Sequence, residues 1–335
     1  MKSILVTGGA GFIGSNFCRY MLEKHPEYEI HVLDALTYAG NLDNIADLQG
    51  NSRFAFTHGD IRNKLVVDDL VRMTDAVVNF AAETHVDRSI DDPGSFVLTD
   101  VYGVFTLLEA CRESGIEKFL HVSTDEVYGS IPEGSFKEGD ALEPNSPYSA
   151  SKAGGELLAR SYFTTYEVPV LITRGSNTFG PYQYPEKLIP LFITNALEDQ
   201  PLPLYGDGLQ TRDWIYVLDH CEGIDLALHK GEIGTAYNIG GGNERTNLEI
   251  TKAILSLLGK PESLIKFVED RPGHDRRYSL DCRRVREIGW SPSHEFDAAL
   301  AETVQWYVRN QAWWRKIKEQ QAEYREFARR WYEKR

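Results

Sequence analysis

The stretch SILVTGGAGFIGS, residues Ser3 to Ser15, decides the fold of this chain. Ile4, Leu5, Val6 and Thr7 read as a buried strand, and Gly8, Gly11 and Gly14 end it in a tight turn. Gly9, Gly11 and Gly14 fit a second register of the same pattern. Residues without a Cβ let backbone amides and a helix N-terminus close on a pyrophosphate. Glycine-rich turns also serve as plain connectors, so the context decides. Here a helix-compatible segment, Phe12–Lys24, follows, and Asp34 closes the next apolar run, twenty residues beyond Gly14. That is the spacing of an acid that holds the 2′-hydroxyl of a dinucleotide's ribose. The expected cofactor is therefore NAD rather than NADP. A 2′-phosphate would meet a like charge, and the adjoining DALTYAGN offers no arginine to receive it.

The rest of the chain repeats this rhythm. EIHVLD, RFAFTHGD, DAVVNFAAE, KFLHVSTDE, VPVLITRGSN and TAYNIGGG are apolar runs without polar alternation, as in strands covered on both faces. Helix-compatible segments such as Phe96–Ser114 and Lys152–Thr165 separate them. The pattern specifies an α/β fold, a Rossmann-type doubly wound parallel sheet whose ligands sit beyond the carboxyl ends of the strands.

After about residue 180, GPYQYPEKLIP and QPLPLYGDGLQTRDW are rich in Pro, Gly and aromatics and read as loops over a smaller, mixed α/β lobe. Residues 214–242 read as one more helix and strand of the sheet. The expected division is residues 1–180 plus about 213–242 for the NAD-binding domain, with 181–212 and 243–335 for a substrate lobe containing helices near Ile250–Leu258 and Phe296–Val308. The basic tail WWRKIKEQQAEYREFARRWYEKR carries Ile317, Tyr324, Phe327 and Trp331 at roughly helical spacing, as in a terminal helix packed on the body or on a partner subunit.

Charge bounds the partners. The 335 residues carry a formal net charge of −14, which argues against nucleic acid as a ligand and requires any anionic substrate to find a locally basic pocket. Cys18, Cys111, Cys221 and Cys282 form no CxxC pair, so neither a metal site nor a disulfide framework is expected, and a reducing, cytoplasmic setting fits. No apolar run reads as a membrane span, and no membrane partner is expected.

Two further motifs carry chemistry. KFLHVSTDEVYG runs from an apolar strand into Thr124, Asp125 and Glu126, placing adjacent carboxyls where burial lets one keep its proton. NSPYSASK sets Tyr148 and Lys152 four apart, on one helix face, where an ammonium stabilises a phenolate base. The same spacing recurs at Tyr20 and Lys24, behind the glycine turn, where it reads as structural.

TGGAGFIG, FAAETHVDRS, VSTDEVYG, YSASK, FGPYQYPEKLIP, RDWIYVLDH and DRPGHDRRY together resemble the extended short-chain dehydrogenase/reductases and, within them, the dTDP-glucose 4,6-dehydratase family. The resemblance reaches about Trp314. It implies a hydro-lyase with tightly bound NAD that oxidises C4 of a nucleotide-linked hexose, eliminates water across C5–C6 and returns the hydride to C6. Tyr148 would take the C4 hydroxyl proton, Thr124 would hold the C4 oxygen, Glu126 would take the C5 proton and Asp125 would protonate the departing C6 hydroxyl. The glycine turn with Phe12 and Ile13, the segment Asp34, Ala35, Leu36 and Thr37, and Phe80, Ala81, Ala82, Thr84, Thr99 and Thr178 would surround the cofactor together with Tyr148 and Lys152. Asp60 and Ile61 either flank the adenine or form an ordinary strand-end turn. His85, Arg88, Thr124, Asn177, Lys187, Leu188, Pro203, Tyr205, Arg212, Asn247, Arg271 and His274 match the nucleotide-sugar pocket, with Tyr205 stacking on a base. Ala35 stands where relatives usually carry Lys, and Ser176 where Asn or Cys is commoner.

Within the resemblance, a homodimer is the usual assembly. UDP-, CDP- or GDP-linked sugars are alternative substrates. A 4-epimerase or decarboxylase reading is disfavoured by Asp125, because neither reaction expels hydroxide.

Overall fold

The computed structural model of the chain describes residues 1–331; the side chain of Trp331, expected on the tail's apolar stripe, lies outside the described residues. The first six apolar runs become β1 (Ser3–Thr7), β2 (Glu29–Asp34), β3 (Phe54–His58), β4 (Ala76–Asn79), β5 (Lys118–Thr124) and β6 (Val170–Gly175). The chain then leaves for a second lobe with β7 (Asn177–Phe179), β8 (Leu202–Tyr205) and β9 (Thr211–Tyr216). It returns as β10 (Ala236–Ile239) before β11 (Glu244–Thr246) and β12 (Ile265–Val268).

The main sheet is seven-stranded and parallel, in the order β10-β6-β5-β4-β1-β2-β3. Chain order reverses on either side of β1, so the segments that follow β1 and β4 leave in opposite directions and a crevice opens beyond the carboxyl ends of the two strands. Ile4, Val6 and Val78 enter one core layer, while Leu5, Val77 and Phe119 enter the other, which is why the runs lack polar alternation.

The α-helices longer than five residues are α1 (Phe12–Lys24), α2 (Lys64–Arg72), α3 (Val86–Asp91), α4 (Pro93–Ser114, π-helical over Val97–Gly103) and α5 (Pro147–Tyr166), then α6 (Leu188–Leu197), α7 (Val217–Lys230), α8 (Asn247–Leu258), α9 (Phe296–Arg309), α10 (Gln311–Gln320) and α11 (Ala322–Trp331). Local signals set the ends that matter. Ser146 and Ser149 form a reciprocal cap with Pro147 in the first turn, so α5 starts where Tyr148 faces the sheet's end and Lys152 lies one turn on.

Two expectations need correction. QPLPLYGDGLQTRDW is not all loop: β8 pairs with β12, and β9 lies between β11 and β7. These short strands gain order from partners tens of residues away, which local composition does not reveal. The absence of any span-length segment is also overturned. Helix α4 has 22 residues, and an 18-residue window of it has mean hydropathy 1.3, long and apolar enough to cross a membrane by length and composition, although half of that window is buried within the molecule.

Candidate active site

The carboxyl ends of β1, β2 and β4 open into a cavity of about 270 Å³. Gly8 has φ of +70°, and a Cβ there would sit 2.7 Å from the Ala81 amide nitrogen. A Cβ on Gly14 would lie 2.4 Å from the Gly8 carbonyl oxygen, so α1 presses its N-terminus against the turn. That helix has no side-chain cap and no acid in its first turn, leaving its amides to an anionic ligand. Asp34 projects into the same cavity, its carboxylate accepting from the amides of Ala10 (2.9 Å) and Leu36 (2.8 Å). Burial pushes the Asp34 pKa up, and the two amides pull against it.

This cradle fits a dinucleotide. Every expected cofactor neighbour lines it except Leu36, whose side chain packs on the core while its amide serves Asp34. Arg62 also lines the cavity, and sequence reading missed it; its guanidinium forks onto Asp60 at 2.9–3.0 Å from Nε.

At the cavity's inner wall, β5 ends in Thr124 and a 3-10 turn over Asp125–Tyr128. Thr124 Oγ1 accepts from the Glu126 amide (3.3 Å) and donates to Asp125 Oδ1 (3.2 Å). Asp125 is 3% exposed, and its Oδ2 has no hydrogen-bond partner among the described residues. Burial, then the charges of Glu126 and Asp213, lifts the Asp125 pKa well above the carboxylate range. Burial also raises Glu126, but Arg271, Lys187 and Arg212 all oppose that shift. The two neighbours are thus sorted electrostatically: Asp125 keeps a proton and Glu126 is favoured as the carboxylate.

Tyr148 lines the same wall and shares a hydrogen bond with Thr124. Its pKa is raised well above 10.0, by burial first and then by Glu126 and Asp100. The expected ammonium–phenolate pairing is not what dominates here. Lys152 Nζ instead donates to the Val122 carbonyl at 2.8 Å, and burial lowers its pKa against the pull of Asp100 and Glu156. Asp100, absent from the sequence reading, accepts from Ser151 (2.6 Å) and the Glu83 amide (2.9 Å), and burial pushes it up to about 6.

A second cavity of about 130 Å³ adjoins the first, with Glu126, Asn177, Glu186 and Lys187 lining both. The expected substrate residues His85, Leu188, Pro203, Tyr205, Arg212, Asn247, Arg271 and His274 line it. Lys187, Arg212 and Arg271 bring three cations to it on a chain of net −14, beside the carboxyls of Asp87, Glu126 and Glu186. Asp87, unforeseen, accepts from Arg271 (2.8 Å) and from the Tyr205 hydroxyl (2.9 Å). Arg212 bonds the Asp275 carbonyl (2.9 Å) and lies over the Tyr278 ring. His274 is held down to about 4 by burial and by Arg271 and Arg212, so it is neutral at pH 7.

Arg88 departs from expectation. It lines neither cavity; its Nε donates to Glu186 (2.8 Å) and its Nη1 to Glu323 (3.2 Å). The Tyr20–Lys24 pair lies remote from this wall, beside Asp225. There His25 and His229 close on Asp225 at 3.0 and 2.8 Å, a triad of metal-ligating type already satisfied by its own hydrogen bonds and by Lys24 at 3.6 Å.

Comparison with known proteins follows this geometry. The profile of the GDP-mannose 4,6 dehydratase family matches residues 5–303. The low-salt glycan biosynthesis protein Agl12 of Haloferax volcanii is 52% identical over 305 residues, covering 91% of this chain and 98% of its own. The dTDP-glucose 4,6-dehydratase of an Actinoplanes species is 50% identical over 317 residues, covering 93% and 99%. The structure of the Streptomyces venezuelae dTDP-glucose 4,6-dehydratase, solved with NAD and dTDP, superposes with a TM-score of 0.92 at 52% identity, covering 94% and 99%. The chain belongs to the GDP-mannose 4,6 dehydratase family and, within it, stands with the dTDP-glucose 4,6-dehydratases.

Proposed function

We propose that the chain is a hydro-lyase that converts dTDP-glucose to dTDP-4-keto-6-deoxyglucose and water. The observation that carries this reading is the sorted pair at the end of β5: a buried, proton-keeping Asp125 beside a Glu126 faced by three cations. NAD, held by the glycine turn and Asp34, supplies the acceptor and donor of one hydride.

The chain's own residues move the protons. Tyr148, bonded to Thr124, receives the proton of the C4 hydroxyl. Burial among carboxylates makes the neutral phenol its resting form, so a bound cation at this wall would have to lower its pKa for it to act as a base. With C4 at the ketone level the C5 hydrogen becomes acidic, and the Glu126 carboxylate takes it. Asp125 passes its proton to the C6 hydroxyl, which leaves as water, and the double bond forms between C5 and C6. Glu126 returns its proton to C5 at the end. An epimerase or decarboxylase has no use for the Asp125 acid.

The nucleotide diphosphate fits the second cavity through Lys187, Arg212 and Arg271. Residues 1–180 with about 213–242 would hold the cofactor, and 181–212 with 243–335 the nucleotide sugar. Four buried free thiols suit a reducing, cytoplasmic setting. The exposed apolar residues Val97, Leu98, Tyr102 and Phe105 of α4, with Leu157 of the adjoining α5, suit a homodimer.

The decisive experiment offers dTDP-, UDP- and CDP-glucose and GDP-mannose separately to the purified protein. Mass and NMR identification of a 4-keto-6-deoxy product from dTDP-glucose is expected. Conversion of another nucleotide sugar alone would reassign the base pocket.

A further inference from the structure

The family profile ends at residue 303, before α10 and α11, yet α11 packs on the loop that borders both cavities. Tyr324 and Phe327 are buried. The Tyr324 hydroxyl donates to the Pro185 carbonyl (3.1 Å), and the Tyr184 hydroxyl donates to Gln321 (2.7 Å) just before the helix. Both bonds fall on the loop that carries Glu186 and Lys187, two of the four residues shared by the cavities.

Arg88 is the second point of contact. Its guanidinium lies between the Tyr38 ring (3.8 Å) and the Phe327 ring (4.5 Å), and it joins Glu323 of α11 to Glu186 of the loop. Glu186 is almost fully buried, and Arg88 stands among the polar partners of its carboxylate, with His85 Nδ1 at 3.5 Å.

Lys187 lines both cavities beside Glu126, its Nζ donating to the Thr84 carbonyl at 2.5 Å, and the charges of Glu126 and Glu186 both favour its ammonium. A shift of the loop would take Lys187 off the Thr84 carbonyl and away from the place where its charge favours the Glu126 carboxylate. The other groups facing Glu126 are Arg271, Arg212 and Asp275, with Asp125 and Tyr148 beside it and Tyr278 opposite. None of these is held by α11.

We propose that α11 is a positioning element for the catalytic base: by bracing the 184–187 loop through Tyr184, Pro185 and the Arg88–Glu186 pair, it holds Lys187 at the cavity junction where its charge faces Glu126. This rests on Glu126 being the base, and the test separates the two claims.

The full chain is compared with a truncation after Gln320 and with Phe327→Ala. Two readouts are taken: hydrogen exchange of the 184–187 amides, which needs no turnover, and the pH profile of kcat/KM. Truncation is expected to speed exchange at least ~10-fold, to lower kcat/KM about 10-fold and to move the acid limb of the profile upward. Phe327→Ala should show a smaller change of the same sign, reversed by Phe327→Tyr. Unchanged exchange overturns the proposal. Faster exchange with an unmoved acid limb also overturns it, leaving α11 a merely structural brace. If the truncated chain does not fold, Phe327→Ala decides by the same criteria. An inactive full chain refutes the activity, while the exchange data still judge the contact.

Discussion

Asp125 and Glu126 differ by one methylene and stand next to each other, yet their neighbours favour the neutral acid at one and the carboxylate at the other. Asp125 faces Glu126 and Asp213 in a buried site, whereas Glu126 faces Arg271, Lys187 and Arg212. Replacing Asp125 with Asn keeps the shape and removes the acid. C4 oxidation should therefore proceed, with elimination slowed ~10²–10⁴-fold; bound-cofactor absorbance and product NMR would check this, and wild-type elimination would misassign the residue. The base has a pH signature. Burial raises the Glu126 pKa above its ordinary 4.5, so its carboxylate is lost as pH falls through that raised value, and the acid limb of kcat/KM should lie above 4.5. Much of this was legible because Thr124, Asp125 and Glu126 are contiguous. Asp87, Asp100 and Glu186 were not, since each gains its meaning from groups brought close only by the fold, such as Arg271, Glu83 and Arg88.

Elements show the same divide between local and distant causes. Continuous apolar runs identified all seven strands of the main sheet, because a strand covered on both faces writes its burial into consecutive residues. Strands β8 and β9 carry Pro203, Gln210 and Arg212 within or beside them and owe their order to β12 and β11, so composition hid them. The glycine turn was fully local, and its test is steric. Gly14→Ala places a Cβ 2.4 Å from the Gly8 carbonyl, so α1 must shift away from the turn. Loss of co-purifying NAD is expected, read by its absorbance after denaturation.

The junction of α1 and α7 offers a second element-scale test. Asp225 raises the His229 pKa above 6.5, and the His229 and His25 charges lower that of Asp225 against the effect of burial. The His229 contribution is complete below 6.5 and fades as pH rises through its raised value. The Asp225 contribution is present above 3.8 and fades as pH falls below it. His229→Gln should therefore lower Tm more at about pH 6 than at about pH 9, and an equal loss at both would reduce the residue to packing.

At the scale of the whole molecule, α4 poses a question that neither its sequence nor its packing answers alone. Its inner half is buried on the core, while Val97, Leu98, Tyr102 and Phe105 face outward beside Leu157 of α5. A soluble monomer rarely leaves such a contiguous apolar face in water. A membrane would cover it only if the helix left the core, which would expose the buried half at about 25 cal/mol per Å² of apolar surface. The proposed second copy would cover it without disturbing the core, by setting α4 and α5 against their own images across a two-fold axis. Leu98→Glu places a charge in that seam and leaves the cavities untouched. Light scattering should then fall from about twice the 38.0 kDa chain mass to a single chain, with the wild type showing no retention on lipid vesicles. A wild-type chain that is already monomeric, or that binds vesicles through α4, would refute the dimer and assign the face to another partner.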